Sequence, residues 1–142
     1  MTLPGIYAFD AADAELSLMP MAVRRALDVS GLHLSLRGWQ TLALLARQQL
    51  VQLGAAQQVD VSGVQACVRG CQPDTRPVEA LCEPAAALGP GAELLNAVTP
   101  DTPLAERWPS LSALDRYVLS SLARRGKLER LSEALAEILA SH

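Results

Sequence analysis

Aromatic residues are scarce in this 142-residue chain: Tyr7, Phe9, Trp39, Trp108 and Tyr117 are all it has. Half of the residues are nevertheless hydrophobic, so a core must be built from Leu, Ala and Val, and a disordered chain is excluded. Lysine is scarcer still. Eleven of the twelve basic residues are Arg, with Lys127 the single Lys. The net charge of −3 offers no general attraction to nucleic acid or anionic lipid. Uninterrupted apolar runs are short of the roughly 18 residues a membrane span needs. The first ten residues lack the basic and apolar regions of a signal peptide. The expected location is the bacterial or organellar cytoplasm.

Catalytic parts are lacking too. There is no phosphate-cradling glycine loop, no HExxH and no GxSxG. The two histidines are His33, in a turn, and His142, so no cysteine has a His partner readable from sequence. Carboxylates are scattered over outward helix faces, which gives no paired acid and base. The basic cluster Arg124, Arg125, Lys127, Arg130 is balanced by Glu129, Glu133 and Glu137 and reads as a solvated helix junction. Three cysteines, Cys67, Cys71 and Cys82, are an odd number in a chain that can build a core, which argues against a disulfide framework. Cys67 and Cys71 are spaced one helical turn apart without a nearby His. That is unlike the CxxC pairs of zinc sites, and buried cysteines acting as small hydrophobes account for them better. The expectation is a chain that is not an enzyme and has no cofactor or metal site.

What is present is helical punctuation. Pro20 to Val29 reads as a helix, with Pro20 suited to its first turn and Gly31 to its left-handed end. Val23, Ala26, Leu27 and Ala22 form its inner face, and Arg24, Arg25 and Asp28 its outer one, with Arg24 and Asp28 four apart and able to pair. Ser35 then caps a long helix that Gly54 closes. Its apolar stripe is Leu36, Trp39, Leu42, Ala43, Ala46, Leu50 and Leu53, with Leu44 and Val51 on a second side. Trp39 is expected in the core, where its indole N–H needs an acceptor. Residues 3–10 read as an extended or loop-like arm, either tied to the body or serving as a docking strand; where extended, it places Tyr7 and Phe9 on one side.

A weaker helix is expected from Val61 to Cys71, with Val64, Cys67, Val68 and Cys71 inward. Residues 73–109 hold seven of the nine prolines and read as an irregular wrap with short helical pieces at Pro77–Leu88 and Gly91–Val98. Ser112 and Asp115 resemble a capping box. The helix after them turns Leu111, Leu114, Tyr117, Val118, Ser121 and Leu122 inward and Arg116 away. A last helix runs to about Ala140, with Leu128, Leu131, Leu135, Ile138 and Leu139 inward. No strand pattern competes. The expected fold is all-α, a single-domain bundle of about four to six helices over 1–142, with an arm at 1–17 and the Pro-rich segment at 73–109.

These residues resemble a known family. The pattern is Tyr7-x-Phe9-Asp10, then Pro20-Met21-x-x-Arg24-x-x-Leu27-Asp28-x-x-Gly31-x-x-Leu34-x-Leu36-x-x-Trp39-x-x-Leu42, then Arg47-x-x-Leu50, and later Trp108-x-x-Leu111 and Leu114-x-Arg116-Tyr117-x-Leu119-x-x-Leu122. It is similar to the nitrate reductase-associated proteins, short bacterial and cyanobacterial proteins. Residues 55–105 do not take part in the resemblance. Asp10 stands where the family usually has Glu, and Leu18-Met19 where it often has Cys. The resemblance implies an accessory role for assimilatory nitrate reductase, a molybdenum-cofactor and iron–sulfur enzyme, with no catalysis by this chain. The implied partners are the reductase or its cofactor-loading machinery, and the candidate contacts are Arg24, Asp28, Arg47 and Arg116. Two other readings stay open: a helical interaction or homodimer module unrelated to nitrate, and a metal or redox protein using the three cysteines.

Overall fold

A computed structural model describes residues 5–83 and 89–140. The fold is all-α, with eight α-helices and one two-residue strand pair among the described residues. It divides into two compact units, residues 1–82 and 83–142.

The first unit begins with a 3-10 turn, Ala8–Asp10, followed by α1 (Met21–Ser30), β1 (Leu32–His33), α2 (Leu36–Thr41), α3 (Leu44–Ala55), α4 (Val61–Val68) and β2 (Arg76–Pro77). Helix α1 packs against α3 and α4, and α3 against α4. Pro20 sits at the N-cap of α1, one residue ahead of the first turn, and its carbonyl accepts from the Arg24 N–H at 3.3 Å. Gly31 ends α1 as expected. Its φ of +70° lets its N–H return to the Asp28 carbonyl at 3.2 Å, a conformation a Cβ would strain. Ala22, Val23, Ala26, Trp39, Leu50, Val51 and Val64 are fully enclosed.

Several expectations for this unit are corrected. The long helix from Ser35 to Gly54 is two helices. The chain goes extended at Leu42 and Ala43, with ψ of 146° and 151°. Thr41 holds the break: its hydroxyl donates to the Gly38 carbonyl at 2.7 Å and accepts the Gln72 N–H at 3.0 Å. Leu42 thereby turns into the core while Leu36 and Leu44 are left exposed. Gly54 does not end a helix but lies within α3. A Cβ there would stand 1.7 Å from the Ala22 carbonyl oxygen, so this glycine is what lets α1 and α3 touch backbone to backbone. Arg25, expected on the outer face, is completely buried. Finally, strands do occur. β1 and β2 pair antiparallel, Leu32 with Pro77 and His33 with Arg76. Val78 and Leu81 extend the contact by donating to the carbonyls of Gly31 and Asp28, both at 2.9 Å. This extended run replaces the expected helix Pro77–Leu88 as far as residue 83; residues 84–88 lie outside the described residues. Helix α4 stops at Val68, so Cys71 is buried just beyond it.

The second unit holds α5 (Ala92–Ala97), α6 (Leu104–Arg107), a 3-10 turn at Trp108–Ser110, α7 (Ala113–Arg124) and α8 (Leu128–Ala140). Helix α7 packs against α5 and α8. The capping box that starts α7 is formed as expected. The Ser112 hydroxyl accepts from the Asp115 N–H at 3.0 Å, and the Asp115 carboxylate accepts from the Ser112 N–H at 3.4 Å. The inner stripe of α7 is buried throughout. Arg116, expected to point away, is buried as well, and Leu128, expected inward on α8, is 60% exposed.

Candidate functional site

The N-terminal arm is tied to the body by side chains of the first unit. Tyr7 and Phe9 stack with ring centroids 5.1 Å apart. The Asp10 carboxylate accepts from the Tyr7 N–H at 3.0 Å and from the Met21 N–H at 3.2 Å, which satisfies an orphan donor at the start of α1. Farther along, the indole N–H of buried Trp39 donates to the Leu16 carbonyl at 2.7 Å, the acceptor its burial demands. Leu16 itself is buried with φ of +53°, a left-handed conformation costly for a branched side chain. Arg47 closes the arrangement. Its guanidinium donates to the carbonyls of Glu15 at 2.7 Å and Gln40 at 2.8 Å, and lies 5.8 Å from the Trp39 ring centre. The same residue therefore holds the arm and caps the broken end of α2.

Around this lock several leucines face solvent: Leu18 at 65% exposed and Leu45 at 66%, with Leu36 and Leu44 also exposed. Segment 15–18 lies alongside residues 40–47 through the Arg47 bonds and a Gln40 amide donating to the Ser17 carbonyl at 3.3 Å. Asp13 fixes the loop ahead of it. The Ser17 hydroxyl and N–H donate to its carboxylate at 2.6 and 2.8 Å, and they hold that carboxyl below its ordinary range.

Buried Arg25 performs a parallel task at the other end of α3. Its guanidinium donates to the carbonyls of Gly54 at 2.8 Å, Gln57 at 3.0 Å and Ala56, the groups left without helical partners where α3 stops. In the second unit the Arg116 guanidinium donates to the Leu111 carbonyl at 2.5 Å, and its Nε has no acceptor. Of the four candidate contacts, then, Arg47 and Arg116 are committed to backbone carbonyls, while Arg24 and Asp28 are half-buried on α1. Arg24, Asp28 and Arg47 belong to the first unit and Arg116 to the second. Sequence does not reveal the role of Arg25 because its partners lie about 30 residues downstream; the apolar residues Ala22, Val23, Ala26 and Leu27 around it in α1 are the available signal.

The cysteines do not converge. Cys71 is buried, Cys67 half-buried and Cys82 exposed. Among the described residues no three His, Cys, Asp or Glu side chains are placed to hold a metal ion. Cys67 lines a groove of about 420 Å³ between α3 and α4, together with Leu53, Ala66, Gln49, Gln52 and Asp60. Burial pushes the Cys67 thiol above its ordinary range. His33 is exposed on β1, and His142 lies outside the described residues. No helix among the described residues is long and apolar enough to cross a membrane.

The model of one protein family, the conserved nitrate reductase-associated proteins, matches residues 6–83, more than half of the chain. The chain belongs to the nitrate reductase-associated family. No curated protein and no solved structure matches it closely enough to carry an inference. The family match runs through residues 55–83, where the motif resemblance was silent, and it stops short of the Trp108 to Leu122 pattern. Its end at residue 83 falls at the boundary between the two units, so the match covers the first unit from residue 6 on. The family's name ties its members to nitrate reductase.

Proposed function

We propose that this member of the nitrate reductase-associated family is a non-catalytic accessory factor of assimilatory nitrate reductase, acting in maturation or stability through protein–protein contact in the cytoplasm. The observation that carries the reading is the family match, which covers the whole of the first unit from the stacked aromatics of the arm onward. Two features support it. Exposed Leu18, Leu36, Leu44 and Leu45 give that unit apolar surface suited to a partner. Three arginines, Arg25, Arg47 and Arg116, are committed to backbone carbonyls, which leaves those leucines as the more available surface for contact. Arg24 and Asp28, half-buried on α1, remain polar contact candidates. The partner is the reductase itself or the machinery that loads its cofactor.

The test is affinity capture of the tagged chain from its native host grown on nitrate, together with nitrate reduction in a deletion strain. Recovery of reductase or cofactor-loading protein, lost in a Leu18→Asp, Leu45→Asp variant that still folds, supports the reading. Capture of neither, with nitrate reduction unchanged by the deletion, refutes it.

A further inference from the structure

The chain ahead of α1 forms a loop closed at its base. The Asp10 carboxylate accepts from the Met21 N–H at 3.2 Å, so residues 11–20 leave and return at one point, as in an Ω loop. Inside the loop the Leu16 N–H donates to the Asp13 carbonyl at 3.1 Å, and the Asp13 carboxylate holds both donors of Ser17. Its hold on the helices is thin. Of residues 11–19 only Leu16 is buried. Among the described residues no backbone bond joins 11–19 to the helices. The fastenings are side chains instead: Arg47, Trp39 and Gln40 donate to three successive carbonyls, those of Glu15, Leu16 and Ser17.

The loop is also strained. Among the described residues only two that are not glycine have a positive φ, Ala11 at +50° and Leu16 at +53°. Both belong to this loop, one at its base and one at its buried anchor. An L side chain pays for that conformation, and it persists only where the surroundings enforce it. Whatever releases the fastenings therefore also relieves the backbone.

We propose that residues 11–18 are a sprung strap, which opens as one unit while α1, α2, α3 and α4 stay folded. Opening lets Ala11 and Leu16 relax, uncovers the Trp39 indole N–H and frees the Arg47 guanidinium. Closed, the strap sets Leu18 alongside residues 40–47; open, it withdraws Leu18 from the exposed leucines there. That effect on docking rests on the proposed function. The opening itself does not, and it is measured on the isolated chain.

Native-state hydrogen exchange of the full chain, followed by nuclear magnetic resonance, tests it. Three protons report on the strap: the amides of Leu16 and Ser17 and the indole N–H of Trp39. They should share one opening constant, at least about a hundredfold larger than that of the Leu50 and Val51 amides within α3. Urea below the unfolding transition should leave it nearly unchanged, because little surface is exposed. Ala11→Gly relieves the strain at a residue that bonds none of the three protons. It should lower the opening constant at least about threefold for all of them together. Exchange of the three no faster than that of Leu50 and Val51 overturns the proposal, since the strap would then open only when the unit unfolds. So do three unrelated opening constants, or exchange indifferent to Ala11→Gly.

Discussion

Replacing Arg25 by Met keeps most of the aliphatic stem and removes the guanidinium that closes α3. Three carbonyls, those of Gly54, Ala56 and Gln57, then lose their donor in or near the interior. Hydrogen bonds from a charged donor contribute about 1.5–3 kcal/mol each. Set against them is the cost of having taken a cation out of water, itself several kcal/mol. Removing one side of such a buried polar arrangement costs about 3–5 kcal/mol overall. Domains have only about 5–15 kcal/mol in total. The variant therefore folds near the edge of stability, with a melting temperature lower by about 10–20 °C.

Urea unfolding followed by far-ultraviolet circular dichroism reads this directly. The midpoint should fall with little change in slope, since the same surface is exposed on unfolding. Arg25→Lys keeps the charge but not the planar fork that reaches three acceptors, so it should lose about half as much. Arg24→Met, one residue away and only half-buried, should lose under about 1 kcal/mol. If Arg25→Met costs no more than Arg24→Met, the guanidinium is not closing α3 and the reasoning fails.

Gly54→Ala places a methyl 1.7 Å from the Ala22 carbonyl oxygen, so α1 and α3 must separate; soluble yield and thermal stability should both collapse, which a melting curve shows. Trp39→Phe keeps the ring burial but strands the Leu16 carbonyl, a loss of about 1–3 kcal/mol in denaturant titration, with proteolysis of the arm accelerated. The Asp13 carboxyl is held below its ordinary value of 3.8, so its contribution is present above that value and lost as pH falls through the lower folded value. Asp13→Asn should flatten that acid limb of stability against pH. Thiol titration should modify exposed Cys82 first, Cys67 more slowly because burial disfavours its thiolate, and Cys71 only on unfolding.

Signals that act over one helical turn were readable in the sequence. Gly31 ends α1, and Ser112 and Asp115 form their box, because each depends on residues three or four positions away. Trp39 announced that it needed an acceptor without saying which. What was not readable depends on residues tens of positions apart. Gly54 looked like a helix end because glycine often is one; its actual reason is Ala22, on another helix. The rule that charge faces water sends Arg25 and Arg116 outward. That rule fails where a guanidinium meets helix-end carbonyls. The break at Leu42 and Ala43 had no proline or glycine to mark it, since Thr41 makes it by bonding Gln72, 31 residues on.

Arg25, Arg47 and Arg116 share one habit, and it bears on where a partner can dock. Each donates to backbone carbonyls: Arg25 at the end of α3, Arg47 at the end of α2 and on the arm, Arg116 ahead of α7. Short helices leave carbonyls at their ends without helical partners, and a planar group with five donors can close such ends where an ammonium cannot. The near-absence of Lys fits that use. It follows that an Arg matching the family pattern is not by that fact a contact residue. A partner that took the Arg47 guanidinium would have to release the Glu15 and Gln40 carbonyls and loosen the arm, whereas one that seats on Leu18 and Leu45 disturbs neither. Arg47→Lys and Leu45→Asp therefore separate the two cases. Arg47→Lys should lower stability and speed proteolysis of the arm while a stably folded fraction keeps its partner. Leu45→Asp should lose the partner from a protein as stable as the original.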